Sequence, residues 1–233
     1  MSALQCILVL DFGSQYTQLI TRRLREHGVF AVVRPCTAPM DLPEHCVGVV
    51  LSGGPASVQG PDAPAFDARW WDVPVPILGI CYGMQLMTHH FGGELGTSAR
   101  REYGRATFEA MKDTTLFTKG LRTVWMSHGD HVESVPPGFS VLGRSKAGVI
   151  AAMGSASGDR FGLQFHPEVT HSEGGSELIR AFALDVCGAR GDWSSEAFID
   201  RALVSIRDTV EDDQVILGLS GGCLLYTSDA ADE

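Results

Sequence analysis

Three short apolar runs, at residues 5–11, 47–51 and 76–80, each end in a turn that carries glycine. The first and third turns lead into stretches with apolar residues at helical spacing. Runs rich in consecutive Val, Ile and Leu are buried on both faces, which requires a sheet with helices packed on either side. This strand–turn–helix rhythm restricts the chain to an α/β fold with an open, mostly parallel central sheet and helices on both faces.

In detail, Ser14 is expected to cap a helix whose stripe is Leu19, Ile20 and Leu24 and which Gly28 ends. Strands are expected at 29–33 and 47–51, a short helix at 64–71, a strand at 76–80 and a helix at 84–91 closed by Gly92 and Gly93. The middle changes character. Short strand-like pieces at 94–98, 106–111, 123–126, 139–144, 149–153 and 161–165 follow one another with little helix between them. They predict a small antiparallel addition, or a mixed extension of the main sheet. A helix at 175–187 follows. Small and polar residues at 188–192 suggest a boundary, after which residues 193–210 read as a helix with Phe198, Ile199, Ala202, Leu203 and Ile206 at helical spacing. One more apolar strand, 214–219, runs into Ser220, Gly221 and Gly222.

Composition excludes several classes. The chain has 233 residues, which predicts one to two domains and a core that needs no disulfide or metal staple. Eighteen basic against 28 acidic residues give a net charge of −10, with no basic block, so neither nucleic acid nor an anionic membrane surface is an expected partner. No apolar stretch approaches the ~20 residues of a membrane helix. Asp11 interrupts the first apolar run and no basic cluster precedes it, so no secretory signal is expected. The six cysteines form no CxxC pair, which suits reduced thiols in a cytoplasmic protein. No metal site is expected from the histidine spacing.

Three constellations could carry chemistry. Gly79-Ile80-Cys81-Tyr82-Gly83 places a cysteine on a strand-to-helix turn flanked by glycines, the pattern of a nucleophile elbow. Backbone N–H groups and the dipole at the helix start favour a thiolate there. A buried structural cysteine would show the same five residues. The second is His166-Pro167-Glu168 after the strand at 161–165. Side chains two apart on a strand share a face, so the histidine and the carboxylate can act together as base and orienter. The third is Leu51-Ser52-Gly53-Gly54-Pro55 at a strand end, where an open parallel sheet binds its ligands. Backbone N–H groups of Gly54 and Tyr82 could there hold an oxyanion.

The ordered set DFGSQY (11–16), LSGGP (51–55), GICYGMQ (79–85), WMSHGD (125–130) and GLQFHPEVTH (162–171) resembles the class I glutamine amidotransferase family across roughly residues 4–222. DFGSQYTQLI, SHGD and HPEVTH point to the branch that makes GMP. The resemblance implies Cys81 as nucleophile, His166 as base and then acid, Glu168 as its orienter, and Gly54 and Tyr82 as oxyanion donors. It implies that Gln85 and the segment Ser127, His128, Gly129 and Asp130 bind the substrate glutamine. It further implies that residues 1–188 form the amidotransferase domain and 189–213 a linker helix. Residues 214–222 would then open an ATP pyrophosphatase (synthetase) domain that uses ATP and magnesium, in a full-length protein that can form a homodimer. Ser220, Gly221 and Gly222 start a phosphate loop whose usual continuation is absent, and residues 223–233 do not fit the family pattern. Two other readings of the same residues are a related γ-glutamyl cysteine hydrolase and a catalytically silent docking or regulatory module.

Overall fold

Cys6 to Leu10 are all buried, so β1 (Cys6–Asp11) has to lie inside the sheet rather than at its edge. In a computed structural model that describes residues 4–96, 102–211 and 213, it does so, flanked on both sides by parallel strands. The remaining strands are β2 (Phe30–Pro35), β3 (Cys46–Leu51), β4 (Ile77–Ile80), β5 (Glu94–Gly96), β6 (Glu102–Ala110), β7 (Gly120–His128), β8 (His131–Ser134), β9 (Phe139–Ser145), β10 (Ile150–Ser155) and β11 (Arg160–Leu163). Eight of these join β1 in one nine-stranded sheet in the order β2-β1-β3-β4-β11-β10-β9-β6-β7. The half from β2 to β11 is parallel. The half from β11 to β7 is antiparallel and continues the same sheet. Of the two arrangements expected for the middle of the chain, the mixed extension is therefore the one adopted.

Helices cover both faces. α1 (Thr17–Glu26) buries Ile20 and Leu24 with Ile7 and Val9 on one face. α3 (Gly175–Arg180) adds Leu178 and Ile179 to that face and continues as a π-helical turn, Ala181–Val186, where a single helix was expected. On the other face α2 (Tyr82–His90) packs Tyr82, Met84 and Met87 against Leu8 and Leu10. Trp70 and Trp71, from a short 3-10 helix (Ala68–Asp72), join that side.

Some boundaries shift for local reasons. Ser14 does not cap α1. Its hydroxyl accepts the Tyr16 N–H, and Asp11 accepts the Gly13 N–H and the Thr17 hydroxyl, so the chain turns first and the helix starts three residues later. α2 begins at Tyr82, two residues before its expected start, because the elbow feeds directly into it. The expected strand at 161–165 ends at Leu163. β8 was not anticipated; it pairs with β5 in a separate two-stranded sheet.

The chain divides into two compact units between Trp193 and Ser194. The second contains α4 (Ser195–Val210), whose Ser194 hydroxyl caps the helix by accepting the Ala197 N–H. Phe198, Ile199, Leu203 and Ile206 on α4 are exposed. The expected strand at 214–219 and Ser220, Gly221 and Gly222 lie outside the described residues. Among the described residues no helix is long and apolar enough to cross a membrane.

Candidate active site

The elbow is built by close backbone approach. A Cβ on Gly79 would lie 2.5 Å from the Gly83 carbonyl carbon, and one on Gly83 would lie 2.5 Å from the Leu51 carbonyl oxygen. Only glycine permits that crossing of β4, α2 and β3. Between them Cys81 holds φ +51° and ψ −103°, a backbone conformation that costs a non-glycine residue roughly 1–3 kcal/mol. Its N–H donates to the Leu163 carbonyl at 2.6 Å, which fixes the turn to the neighbouring strand β11.

That neighbour delivers the imidazole. β4 and β11 run parallel with Ile80 opposite Leu163, so Cys81 and the segment from Gln164 onward leave the sheet side by side. An atom at the Cβ position of Gly53 would be 3.0 Å from His166 Cε1 and 3.7 Å from Cys81 Cβ, so the two side chains meet over this glycine. His166 Nδ1 and Glu168 Oε1 are 2.8 Å apart, and both residues are buried, Glu168 completely. Burial pulls the His166 pKa down. The hydrogen bonds and negative charges of Cys81 and Glu168 outweigh it and push the value up to about 10. Proximity of histidine and glutamate was expected from strand pleating. The cause is different: both lie in the loop beyond β11, and a turn through Pro167 brings carboxylate to ring.

The loop is held by the far end of the sheet. β7 is an edge strand, and residues 166–173 dock along its free side. His166 N–H donates to the Trp125 carbonyl at 3.0 Å, and Glu173 N–H to the Thr123 carbonyl at 2.8 Å. The Ser172 hydroxyl accepts the Trp125 N–H at 3.0 Å and donates to the His166 carbonyl at 2.6 Å. On α1, Arg23 Nε donates to the Glu168 carbonyl at 3.1 Å. The Tyr16 ring meets the His166 ring edge-on at 5.0 Å.

β7 also carries Ser127 over the nucleophile, so that the Cys81 thiol donates to the Ser127 carbonyl at 3.5 Å. A cleft of about 480 Å³ opens here. Cys81, His166, Gly54, Gln85, Ser127, His128, Gly129 and Asp130 all line it, together with Tyr103 and residues 13–16. Tyr82 does not line the cleft with its side chain, which is buried. It is the first residue of α2, so its N–H has no acceptor within the helix. Gly54 presses on the strand-end loop of β1, where a Cβ would come 2.7 Å from the Phe12 carbonyl oxygen.

Gln85 and His128 both shape the wall of the cleft. Gln85 Nε2 donates to the Asp130 carbonyl at 2.8 Å and to Gln164 Oε1 at 3.3 Å. His128 Nδ1 lies 3.0 Å from the same Asp130 carbonyl, while Nε2 faces Glu102 at 3.5 Å. Burial pulls the His128 pKa below its ordinary value, with Glu102 opposing. Sequence reasoning left Tyr16, Gln164 and Ser172 without roles. Tyr16 and Gln164 stand in motifs it had quoted, and Gln164 Nε2 lies 3.6 Å from the Cys81 sulfur. Among the described residues no group of histidine, cysteine, aspartate or glutamate is arranged to hold a metal ion.

Known proteins resemble this chain in sequence and fold. The family model for glutamine amidotransferase class-I matches residues 8–186. The glutamine-hydrolysing GMP synthase of Enterococcus faecalis is 50% identical over 226 residues, which are 95% of this chain and 44% of that protein. That of Listeria monocytogenes is 49% identical over 221 residues, 93% of this chain and 42% of that one. The chain thus spans less than half the length of these curated relatives. A solved protein of Thermoplasma acidophilum, provisionally described as one component of a GMP synthase, superposes with a TM-score of 0.70 at 28% identity, covering 86% of this chain and 100% of its own. A glutamine amidotransferase of Thermotoga maritima shares the fold, with a TM-score of 0.66 at 17% identity over 80% of this chain and 99% of its own. Because the family model matches residues 8–186, from within β1 through the π-helical turn, this chain belongs to the class-I glutamine amidotransferases.

Proposed function

We propose that this chain is the glutamine-hydrolysing half of a cytoplasmic GMP synthase, releasing ammonia from glutamine through a thioester on Cys81. The observation that carries the reading is the meeting of Cys81 and His166 in one cleft, with the buried Glu168 bonded to the far side of the ring.

In this mechanism the Cys81 thiolate attacks the side-chain amide carbon and a carbon–sulfur bond forms. The resulting oxyanion accepts hydrogen bonds from the Gly54 and Tyr82 N–H groups. Because Nδ1 is engaged by Glu168, His166 presents Nε2 for proton transfer. Its imidazolium protonates the amide nitrogen, the carbon–nitrogen bond breaks and ammonia leaves. Water then gives a proton to the neutral imidazole as its oxygen attacks the thioester. The carbon–sulfur bond breaks, and the products are glutamate and a restored thiolate–imidazolium pair. Gln85 and the Ser127–Asp130 turn hold the glutamine.

The relatives' name, GMP synthase, supports GMP as the product, and the family resemblance implies the acceptor. Residues 1–188 would be the amidotransferase domain, 189–213 a linker helix and 214–222 the opening of a synthetase domain. That domain would use ATP and magnesium to activate xanthosine 5′-monophosphate for amination by the ammonia, in a full-length protein that can form a homodimer. Mass spectrometry after rapid acid quenching tests the core of this reading. Incubation with glutamine is expected to add a γ-glutamyl group to the peptide containing Cys81, and Cys81→Ala to remove that adduct. Glutamate production that persists undiminished in Cys81→Ala would sink it.

A further inference from the structure

At the end of the sheet away from the cleft, Cys6 begins β1 and Cys46 begins β3. The two are paired residue to residue in the parallel ladder. The Cys6 N–H donates to the His45 carbonyl at 3.2 Å, which sets Cys46 directly opposite. Residues opposite each other in a parallel pair point to the same face, and both thiols sit in the same apolar cluster. Adjacent strands run ~4.8 Å apart, inside the ~4.4–6.8 Å that separates the Cα atoms of a disulfide. Both thiols are free.

The two sulfurs differ in character. The adjacent Cys6 thiol pulls the Cys46 pKa down against the effect of burial, aided by the Arg34 charge, while the Cys46 thiol itself sits 3.2 Å from the Gly48 carbonyl and donates to it. The same proximity, with burial, pushes Cys6 up. One thiol is thereby inclined to ionise while its neighbour keeps its proton, which is how an attacking and a resolving cysteine are paired. Cys46 also follows two exposed residues, Glu44 and His45, at the start of its strand, and His45 holds φ +59°. Both thiols are buried at the rim of the core, and reaching them needs local opening where β3 begins.

We propose that Cys6 and Cys46 form a peroxide-oxidisable pair that closes into a disulfide between β1 and β3. The Cys46 thiolate attacks hydrogen peroxide, a sulfur–oxygen bond forms as the oxygen–oxygen bond breaks, and hydroxide leaves to become water. The Cys6 thiol then attacks the Cys46 sulfenic acid. A sulfur–sulfur bond forms, the sulfur–oxygen bond breaks, and a second water carries off the Cys6 proton. Nothing in the glutamine chemistry uses these residues.

The test uses the whole chain in a Cys81→Ala background, which removes the competing thiolate of the cleft. After hydrogen peroxide at neutral pH, non-reducing peptide mass spectrometry is expected to show Cys6 linked to Cys46, two hydrogens lighter than the separate peptides. Dithiothreitol is expected to reverse it. Cys36 shares the tryptic peptide of Cys46, so fragment spectra assign the linkage. With Cys6→Ser added, Cys46 is expected to stop at the sulfenic acid and take up dimedone. Cys6 and Cys46 remaining fully alkylatable after oxidation and unfolding would overturn the proposal, and so would linkage of Cys46 to Cys36 or Cys187 instead.

Discussion

Ser172 donates its hydroxyl to the His166 carbonyl at 2.6 Å while accepting the N–H of Trp125 at 3.0 Å. This one buried side chain therefore joins the loop that carries the base to the strand that carries the Ser127–Asp130 turn. Ser172→Ala leaves the half-buried Trp125 N–H without its side-chain acceptor, at a cost of ~1 kcal/mol in stability. Imprecise placement of a base has large kinetic effects, so kcat for glutamine hydrolysis is expected to fall ~10- to 100-fold with KM changed much less. Ser172→Thr, which keeps the hydroxyl, is expected to retain most of kcat. Steady-state glutamate production for both variants checks this.

The backbone of Cys81 predicts an opposition between stability and activity. Glycine accepts φ +51° without the penalty that a Cβ imposes there. Cys81→Gly is expected to be inactive yet more stable than Cys81→Ala by ~1 kcal/mol or more. Urea unfolding of the two variants, read at the same m-value, measures the difference.

Cys81, and after it Glu168, hold the His166 ring protonated to high pH. The His166 pKa of about 10 lies above the ~6.5 of an unfolded histidine. The charged ring therefore adds stability that is fully present below pH ~6.5 and is lost as pH rises through about 10. In Glu168→Gln the His166 pKa is expected to move down, so this loss begins at lower pH. The alkaline limb of the kcat/KM profile is expected to move the same way. Thermal unfolding as a function of pH and a pH–rate profile test the two statements separately.

Gly54 tests the oxyanion site. A methyl group there would collide with the Phe12 carbonyl oxygen, so Gly54→Ala has to displace the Ser52–Pro55 turn. Loss of one oxyanion donor typically costs ~10²–10³ in rate, and kcat is expected to fall by about that factor. Formation of the Cys81 thioester, followed by quenched mass spectrometry, is expected to slow in parallel.

The parallel half of the sheet was legible because its strands are buried on both faces and spell continuous apolar runs, as Ile7 to Leu10 do. The elbow was legible because steric crowding leaves glycine no substitute at 79 and 83. His166 and Glu168 were found through adjacency in sequence, although a loop and not a strand brings them together. Ser172, Gln164 and Tyr16 were not assigned. Their roles depend on β7 returning to the loop after β11 and on α1 passing beside it, contacts between residues 47 to 150 positions apart. The four residues of β8 carry only one apolar alternation, too little for a pattern to register.

The docking of residues 166–173 along β7 has a consequence for solubility. An uncovered edge strand offers a row of unpaired donors and acceptors to any other chain, and proteins usually shield it with charges or prolines. Here Thr123 and Trp125 are satisfied by the segment that bears the base. Changes that loosen this segment would expose a template for intermolecular β-pairing, tying selection against aggregation to selection for turnover at the same few residues.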